Sequence, residues 1–295
     1  MDVVRERLLA RLEAGWECPL TLVCAPAGYG KTTLLRQWQQ RCRQEVAWLT
    51  LQASDGEPQV FLARLGEALG IPSGGVCGEL DAGLATLLNV LVQRPAPLAL
   101  VLDDYQRIEG SPPARALAQV IEYLPPALRL AVASRHEPPF PLPRLRVRGE
   151  LAELGAGELA FTVDEAAAWA PVLPAEQAAV LVERTEGWAM AMALGVRAAS
   201  PAGWELAVDR YLEHEVWAPL PPPLQRFLLA ASALERPSAA LCNAQIGRRA
   251  GQAMLQEAER RSLFLFPLDG DQSLYRWHPL FRAFLQRLAH GAGGA

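Results

Sequence analysis

One lysine in this chain of 295 residues constrains its fold more than any other residue. Lys31 lies in the run APAGYGKTT of residues 25–33, whereas the other 27 of the 28 lysine and arginine side chains are arginines. An apolar run, Leu20–Cys24, precedes it, and Leu34–Trp38 after it has the pattern of a helix. A strand, a glycine-rich turn, Lys-Thr and a helix in this order predict a phosphate-binding loop. The alternative is a tight glycine turn that carries a solvated lysine.

A phosphate-binding loop works mainly through its backbone. Its N–H groups surround the β-phosphate, helped by the positive end of the following helix, and its glycines permit the necessary angles. Lys31 is predicted to reach the β- and γ-phosphates, and the Thr32 hydroxyl to bind Mg²⁺. The predicted nucleotide-binding residues of the loop are Ala27, Gly28, Tyr29, Gly30, Lys31, Thr32 and Thr33. The strict pattern has glycine where this chain has Ala25, which fits only if its φ stays negative.

Two further runs end in charged residues at predicted strand ends. The apolar run from Leu98 leads into Asp103 and Asp104, as in a Walker B strand. Asp103 is predicted to hold Mg²⁺ directly or through water, and Asp104 to orient and polarise the attacking water. The alternative is an Asp-Asp turn without function.

Arg135 follows the next apolar run, Leu130–Ala133. It is predicted to lie at the same sheet edge, where it would sense the γ-phosphate and offset its charge. The alternative is a surface arginine that pairs with Glu137 or Glu150.

Composition excludes several other classes of protein. Half of the residues are hydrophobic and a fifth are charged, as in a globular chain, and the net charge of −4 gives no electrostatic footprint for nucleic acid. Five cysteines without C-x-x-C spacing indicate neither a disulfide framework nor a zinc site, and favour a reducing cytoplasm. The four histidines are far apart, and no apolar stretch reaches the roughly 20 residues of a membrane span. We expect neither a signal peptide nor a membrane partner.

The pattern of apolar runs predicts an α/β domain, a parallel sheet flanked by helices, followed by helical segments. The candidate strands are Leu20–Cys24, Val46–Leu51, Leu98–Leu102, Leu128–Ala133 and Leu151–Leu154. Pro125-Pro126 is predicted to end a helix, Thr162 with Glu165 reads as a capping box, and Pro201–Gly203 is predicted to be a break. Leu263–Phe266 and Leu274–Trp277 predict a hairpin around the turn Asp269–Asp271, before a closing helix.

These patterns predict four segments. They are a nucleotide-binding domain over residues 1–160, a helical domain over 161–203, a winged-helix domain over 204–290 and a flexible tail over 291–295.

Several motifs, in chain order, carry a resemblance to a known family. They are VVRERLL from Val3, APAGYGKTT from Ala25, LDDY from Leu102, ASR from Ala133 with Pro138-Pro139, LAFT from Leu159 with Glu165-Ala166, EGWA from Glu186, and HPLF from His278 with Phe284-Leu285. They resemble the nucleotide-binding region of the MalT-type, ATP-dependent LuxR-family transcriptional regulators, within the STAND class of signalling ATPases.

The resemblance implies a P-loop NTPase domain, a helical domain and a winged-helix domain that act together as a switch. ADP would hold it closed; ATP with an inducer would open it and permit self-association. A sensor and a LuxR-type DNA-binding domain are expected in a longer parent protein, with no DNA contact from this chain.

The resemblance also implies further site residues. It places Val4 and Arg5 near the adenine, Gly187-Trp188 at a nucleotide contact, and His278 on the β-phosphate of bound ADP. Gln52 departs from the family, which tends to carry an acid there. Two alternatives stay open: a free-standing P-loop kinase or ATPase with a small acceptor, and an interaction scaffold whose site has lost hydrolysis.

Overall fold

The computed structural model describes residues 3–71, 79–171, 173–198, 200–247, 249–268 and 273–292. By their contacts these residues form two units. We call Asp2–Ala25 with Gly30–Leu159 the sheet unit, and Pro26–Tyr29 with the chain from Ala160 onward the helical unit. Four residues of the predicted phosphate loop therefore pack with the helical unit, although the chain around them belongs to the sheet unit.

The sheet unit is built on five parallel strands. They are β1 (Leu20–Cys24), β2 (Glu45–Thr50), β3 (Leu98–Asp103), β4 (Leu128–Ser134) and β5 (Leu151–Leu154), in the order β2-β3-β4-β1-β5. All five predicted strands are confirmed to within one residue at each end. All six residues of β3 are buried, as expected for a strand covered on both faces.

Helices flank this sheet. They are α1 (Glu6–Ala14), α2 (Lys31–Arg41), α3 (Pro58–Ala68), α4 (Leu80–Val92), α5 (Pro112–Ile121), α6 (Leu142–Arg148) and α7 (Ala156–Leu159). Ser111 caps α5 by accepting a hydrogen bond from the Ala114 N–H at 3.3 Å. This helix ends at Ile121, four residues before the proline pair that we expected to end it.

Four helices open the helical unit: α8 (Val163–Trp169), α9 (Ala175–Thr185), α10 (Ala189–Arg197) and α11 (Pro201–Leu212). The predicted capping box of α8 is confirmed, with Thr162 and Glu165 exchanging hydrogen bonds of 3.2 Å. The break predicted at Pro201–Gly203 is wrong. These residues form the first turn of α11, because proline is tolerated there and Ser200 accepts a hydrogen bond from the Gly203 N–H.

Three helices, a hairpin and a closing helix follow. They are α12 (Pro222–Ala231), α13 (Ala239–Ile246), α14 (Gly251–Arg260), the antiparallel strands β6 (Leu265–Pro267) and β7 (Tyr275–Trp277), and α15 (Pro279–Ala292). The hairpin is confirmed; its predicted turn, Asp269–Asp271, lies outside the described residues. Gly291 and Ala292 of the predicted tail are the last two residues of α15, and the rest of the tail is outside the described residues. The predicted domain limits stay predictions.

Candidate nucleotide-binding site

The loop from Ala25 to Lys31 has the backbone that its sequence predicts. Gly28 and Gly30 lie in the left-handed region, with φ of +78° and +80°. Ala25 is not among the non-glycine residues with positive φ in the described part of the chain, so alanine is tolerated at this first position. Gly30 precedes α2, whose first residue is Lys31. The start of this helix therefore lies at the loop, as an anion site requires.

Lys31 is held inside this loop. Its Nζ donates a 2.7 Å hydrogen bond to the Ala25 carbonyl, and the side chain is only 9% exposed. Burial, followed by the nearby charge of Arg135, lowers the pKa of Lys31 to about 8. A phosphate at this position would favour the charged form of the buried ammonium.

Thr32, in the first turn of α2, faces Asp103 at the end of β3. The Thr32 hydroxyl lies 3.1 and 3.0 Å from the two carboxylate oxygens of Asp103, to which it donates. Burial raises the pKa of Asp103, and the Thr32 hydrogen bond acts in the opposite direction. Hydroxyl and carboxylate oxygens are ligands that Mg²⁺ accepts, with substrate phosphate and water completing its shell. The pair therefore fits a magnesium ion, which would polarise the phosphate oxygens.

Asp104 directly follows β3 and has a left-handed backbone conformation. Its φ and ψ are 59° and 41°, a conformation that aspartate adopts more readily than most residues. The carboxylate is fixed, because Asp104 Oδ1 accepts a 2.7 Å hydrogen bond from Gln106 Nε2. Asp104 thus carries a carboxylate of fixed orientation directly after Asp103.

Arg135 follows β4, which lies between β3 and β1 in the sheet. The carboxyl ends of these three strands carry Asp103-Asp104, Arg135 and the phosphate loop. Strand order thus brings three separate motifs to one edge, where open α/β sheets bind ligands. The charge of Arg135 helps to lower the pKa of Lys31. The backbone N–H of Arg135 donates a hydrogen bond to Gln106 Oε1 at 3.0 Å.

The two residues predicted near the adenine lie in different surroundings. Val4 is 44% exposed and lines a cavity of about 340 Å³ together with Thr33 and Gln37 of α2. Arg5 is buried, and its Nη1 donates to the Leu159 carbonyl at 2.8 Å. Val4 can therefore contact a base in this cavity, whereas Arg5 joins the first helix to the end of α7.

The helical unit anchors the middle of the loop. Trp188 Nε1 donates to the Ala27 carbonyl at 2.9 Å, and the Met190 N–H donates to the Gly28 carbonyl at 3.0 Å. A Cβ on Gly28 would lie 2.6 Å from Met190 Cβ and 2.8 Å from Trp188 Nε1. Glycine is required here by its φ and by this close approach.

His278 lies in the same part of the helical unit as Trp188. It is fully buried, and its ring lies edge-on to Trp188 with the centroids 5.7 Å apart. The Leu280 N–H points at Nδ1, 3.3 Å away, so Nε2 carries the proton of the neutral ring and donates to the Thr185 carbonyl at 2.9 Å. Burial lowers the pKa of His278. Its contact with a phosphate stays a prediction.

Sequence reasoning missed Gln106 and the hydrogen bonds that hold the loop carbonyls. Gln106 follows the Asp-Asp pair as an ordinary polar residue, and no motif marks it. Gln52 stands where the family tends to carry an acid. Its backbone N–H donates to Asp55 Oδ2 at 2.7 Å, and Arg64 forms an ion pair with the same carboxylate. Among the described residues no group of three or more His, Cys, Asp or Glu side chains could hold a metal ion. No described helix is long and apolar enough to cross a membrane.

Two known families each match a part of the chain. The AAA domain family matches residues 17–140, and the MalT winged helix domain family matches residues 213–294. The HTH-type transcriptional regulator MalT of Serratia proteamaculans is 34% identical over 97% of this chain. The chain is thus a module with an AAA domain followed by a winged-helix domain of the MalT type.

The module spans about a third of the curated relatives that it matches, and those relatives differ in kind. It covers 35% of the Serratia regulator. The serine/threonine-protein kinase PknK of Mycobacterium tuberculosis is likewise 34% identical, over 99% of the module and 29% of the kinase.

Solved structures support the fold. A Walker-type ATPase of Pyrococcus abyssi superimposes with a TM-score of 0.68 at 14% identity, over 97% of the module and 96% of that chain. A STAND protein with a tetratricopeptide-repeat sensor from Pyrococcus horikoshii gives 0.53 at 14% identity, over 98% of the module and 43% of that chain. The module has a P-loop ATPase fold followed by a winged helix.

Proposed function

We propose that this module is a regulatory ATPase switch. It binds ATP or ADP with Mg²⁺, hydrolyses ATP slowly, rests in the ADP state and self-associates in the ATP state. The observation that supports this proposal is that Lys31, Thr32, Asp103, Asp104 and Arg135 lie together at the carboxyl ends of β1, β3 and β4.

Each of these residues has a proposed role. Lys31 and the loop N–H groups hold the β- and γ-phosphates, while Thr32 and Asp103 hold Mg²⁺. Asp104 orients the attacking water, and Arg135 offsets charge on the γ-phosphate. Val4 contacts the base. His278 is the proposed link between the winged helix and the β-phosphate of ADP, which requires its ring to leave Thr185.

We further propose that the module regulates the output of a longer parent protein in the cytoplasm. Its relatives include both a transcriptional regulator and a protein kinase, so the shared part is the switch rather than the output. In a MalT-like parent, a sensor and a LuxR-type DNA-binding domain would follow, and the winged helix of this chain would not read DNA.

Calorimetric titration with Mg²⁺-ADP tests the nucleotide site. Wild type is expected to bind one ADP, and Lys31→Ala to lose that binding because the loop loses its only ammonium. Arg144→Ala, which removes an exposed cation, is the control and should bind normally. Binding by Lys31→Ala at wild-type affinity would refute the site.

Hydrolysis and self-association distinguish the proposal from its alternatives. ATP turnover by wild type above the Lys31→Ala background, with a larger sedimentation coefficient in ATP than in ADP, is the expected result. Turnover equal to that background in a folded protein supports the scaffold. Rapid turnover that depends on a small acceptor supports the kinase or ATPase alternative.

A further inference from the structure

Gln106 joins two residues of the site, Asp104 and Arg135, which directly follow β3 and β4. Its Nε2 donates to Asp104 Oδ1 at 2.7 Å, and its Oε1 accepts a hydrogen bond from the backbone N–H of Arg135 at 3.0 Å. Both ends of the amide are used, so the hydrogen bonds themselves fix which end carries the oxygen. A carboxylate accepts only and an N–H donates only, so reversing the amide would break both bonds.

The connection continues to the phosphate loop. After Arg135, the Ser134 carbonyl accepts from the Ala25 N–H at 3.3 Å, and the Ala25 carbonyl accepts from Lys31 Nζ. One chain of hydrogen bonds and peptide units therefore runs from the Asp104 carboxylate through Gln106 and the end of β4 to the base of the loop.

Asp104 needs such support. It sits in a left-handed turn outside the strand, where the sheet no longer fixes its backbone. The short helical turn Tyr105–Arg107 that follows carries Gln106 back towards the acid. Nearby, His136 Nδ1 lies 3.3 Å from a carboxylate oxygen of Glu109, which is a second contact between the segments that follow β3 and β4.

We propose that Gln106 is a positioning residue that holds the Asp104 carboxylate in register with Arg135 during ATP hydrolysis. This inference rests on the proposed function. Asp104 acts on the attacking water and Arg135 on the γ-phosphate, so their separation must stay constant as the reaction proceeds. Gln106 touches neither reacting group; it sets the geometry of the two residues that do.

The test replaces Gln106 by leucine, which keeps much of the volume and removes both hydrogen bonds. Gln106→Leu is expected to lower kcat roughly tenfold to a hundredfold, as a misplaced catalytic group does, and to leave KM and ADP affinity within about twofold. Gln106→Glu keeps the acceptor for Arg135 but replaces the donor to Asp104 by a second carboxylate, and its kcat should fall equally or further. Gln119→Leu, on the exposed side of α5, is the matched control and should keep wild-type kcat.

A double-mutant cycle with Asp104→Ala separates positioning from a general loss of structure. If Gln106 acts through Asp104, Gln106→Leu lowers kcat by less than twofold once Asp104 is alanine. An equal fold-loss in both backgrounds overturns the inference, as does an unchanged kcat in Gln106→Leu itself. Where Gln106→Leu fails to fold, Gln106→Glu gives the same comparison. Absence of hydrolysis in wild type would instead overturn the proposed function, so the two failures are distinct.

Discussion

Trp188 offers a sharp test of how the phosphate loop is held. Its indole N–H donates to the Ala27 carbonyl at 2.9 Å, and the side chain is fully buried. Trp188→Phe keeps an aromatic ring in the cluster with Phe264 and His278 but removes the donor. A buried carbonyl that loses its donor costs about 1–3 kcal/mol, so the free energy of unfolding should fall by about that amount.

The same substitution should weaken nucleotide binding. If about 1 kcal/mol of the lost hydrogen bond goes into holding the loop in its binding conformation, ADP affinity falls about fivefold. Urea unfolding followed by far-UV circular dichroism measures the stability change, and calorimetric titration measures ADP affinity.

Trp204 provides a matched control in the same unit. It is buried, and its Nε1 donates to the Ala191 carbonyl at 2.8 Å, away from the loop. Trp204→Phe should cost a similar free energy of unfolding and leave ADP affinity unchanged. Equal changes in affinity for both variants, or no change for Trp188→Phe, would refute the role of the Trp188 hydrogen bond in shaping the loop.

Three further predictions follow from the loop and the acidic pair. Lys31 must be charged to bind phosphate, and its pKa without ligand is about 8. ADP affinity should therefore fall about tenfold from pH 7 to pH 9, and the proton taken up on binding should make the binding enthalpy depend on the buffer. Constant affinity over that range would contradict the lowered pKa. Asp104→Ala should leave ADP affinity within about twofold and slow hydrolysis by roughly a hundredfold or more, measured as released phosphate; unchanged turnover would remove Asp104 as the water-orienting group. Gly28→Ala should lower the free energy of unfolding by about 2–5 kcal/mol, because it adds a clash with Met190 to the strain of positive φ. Gly110→Ala has the same φ of +78° with open space around its Cβ and should cost only about 1–2 kcal/mol; equal costs would mean that the contact is absent.

Much of the sheet unit could be predicted because its signals are local. Strands buried on both faces read as continuous apolar runs, which is why β1 and β5 have the predicted bounds and the others lie within a residue of them. The charged residues at strand ends mark the site edge for the same reason. Strand order could not be read from these runs, since the position of β4 between β3 and β1 is a property of the folded sheet.

The contacts that hold the phosphate loop could not be predicted from the sequence, for a different reason. Trp188 and Ala27 are 161 residues apart in sequence, and the acceptor is a backbone carbonyl, which any residue type supplies equally. Gln106 likewise has no pattern of its own, because its role depends on the Arg135 backbone. The break predicted at Pro201 failed because proline can begin a helix as well as end one. Helices α13 and α14 were not predicted, and α13 has little apolar pattern to predict it from, since Cys242 is its one buried residue.

The central claim is that this chain carries a complete nucleotide site. The most direct measurement is to denature freshly purified wild-type protein and identify the released nucleotide by chromatography. At a thousandfold excess over Kd, bound ligand adds about 4 kcal/mol of stability, so a nucleotide in a complete site should survive purification. About one ADP per chain is the predicted result. Protein that releases no nucleotide, and that then fails to bind added ADP or ATP with Mg²⁺, would contradict the claim.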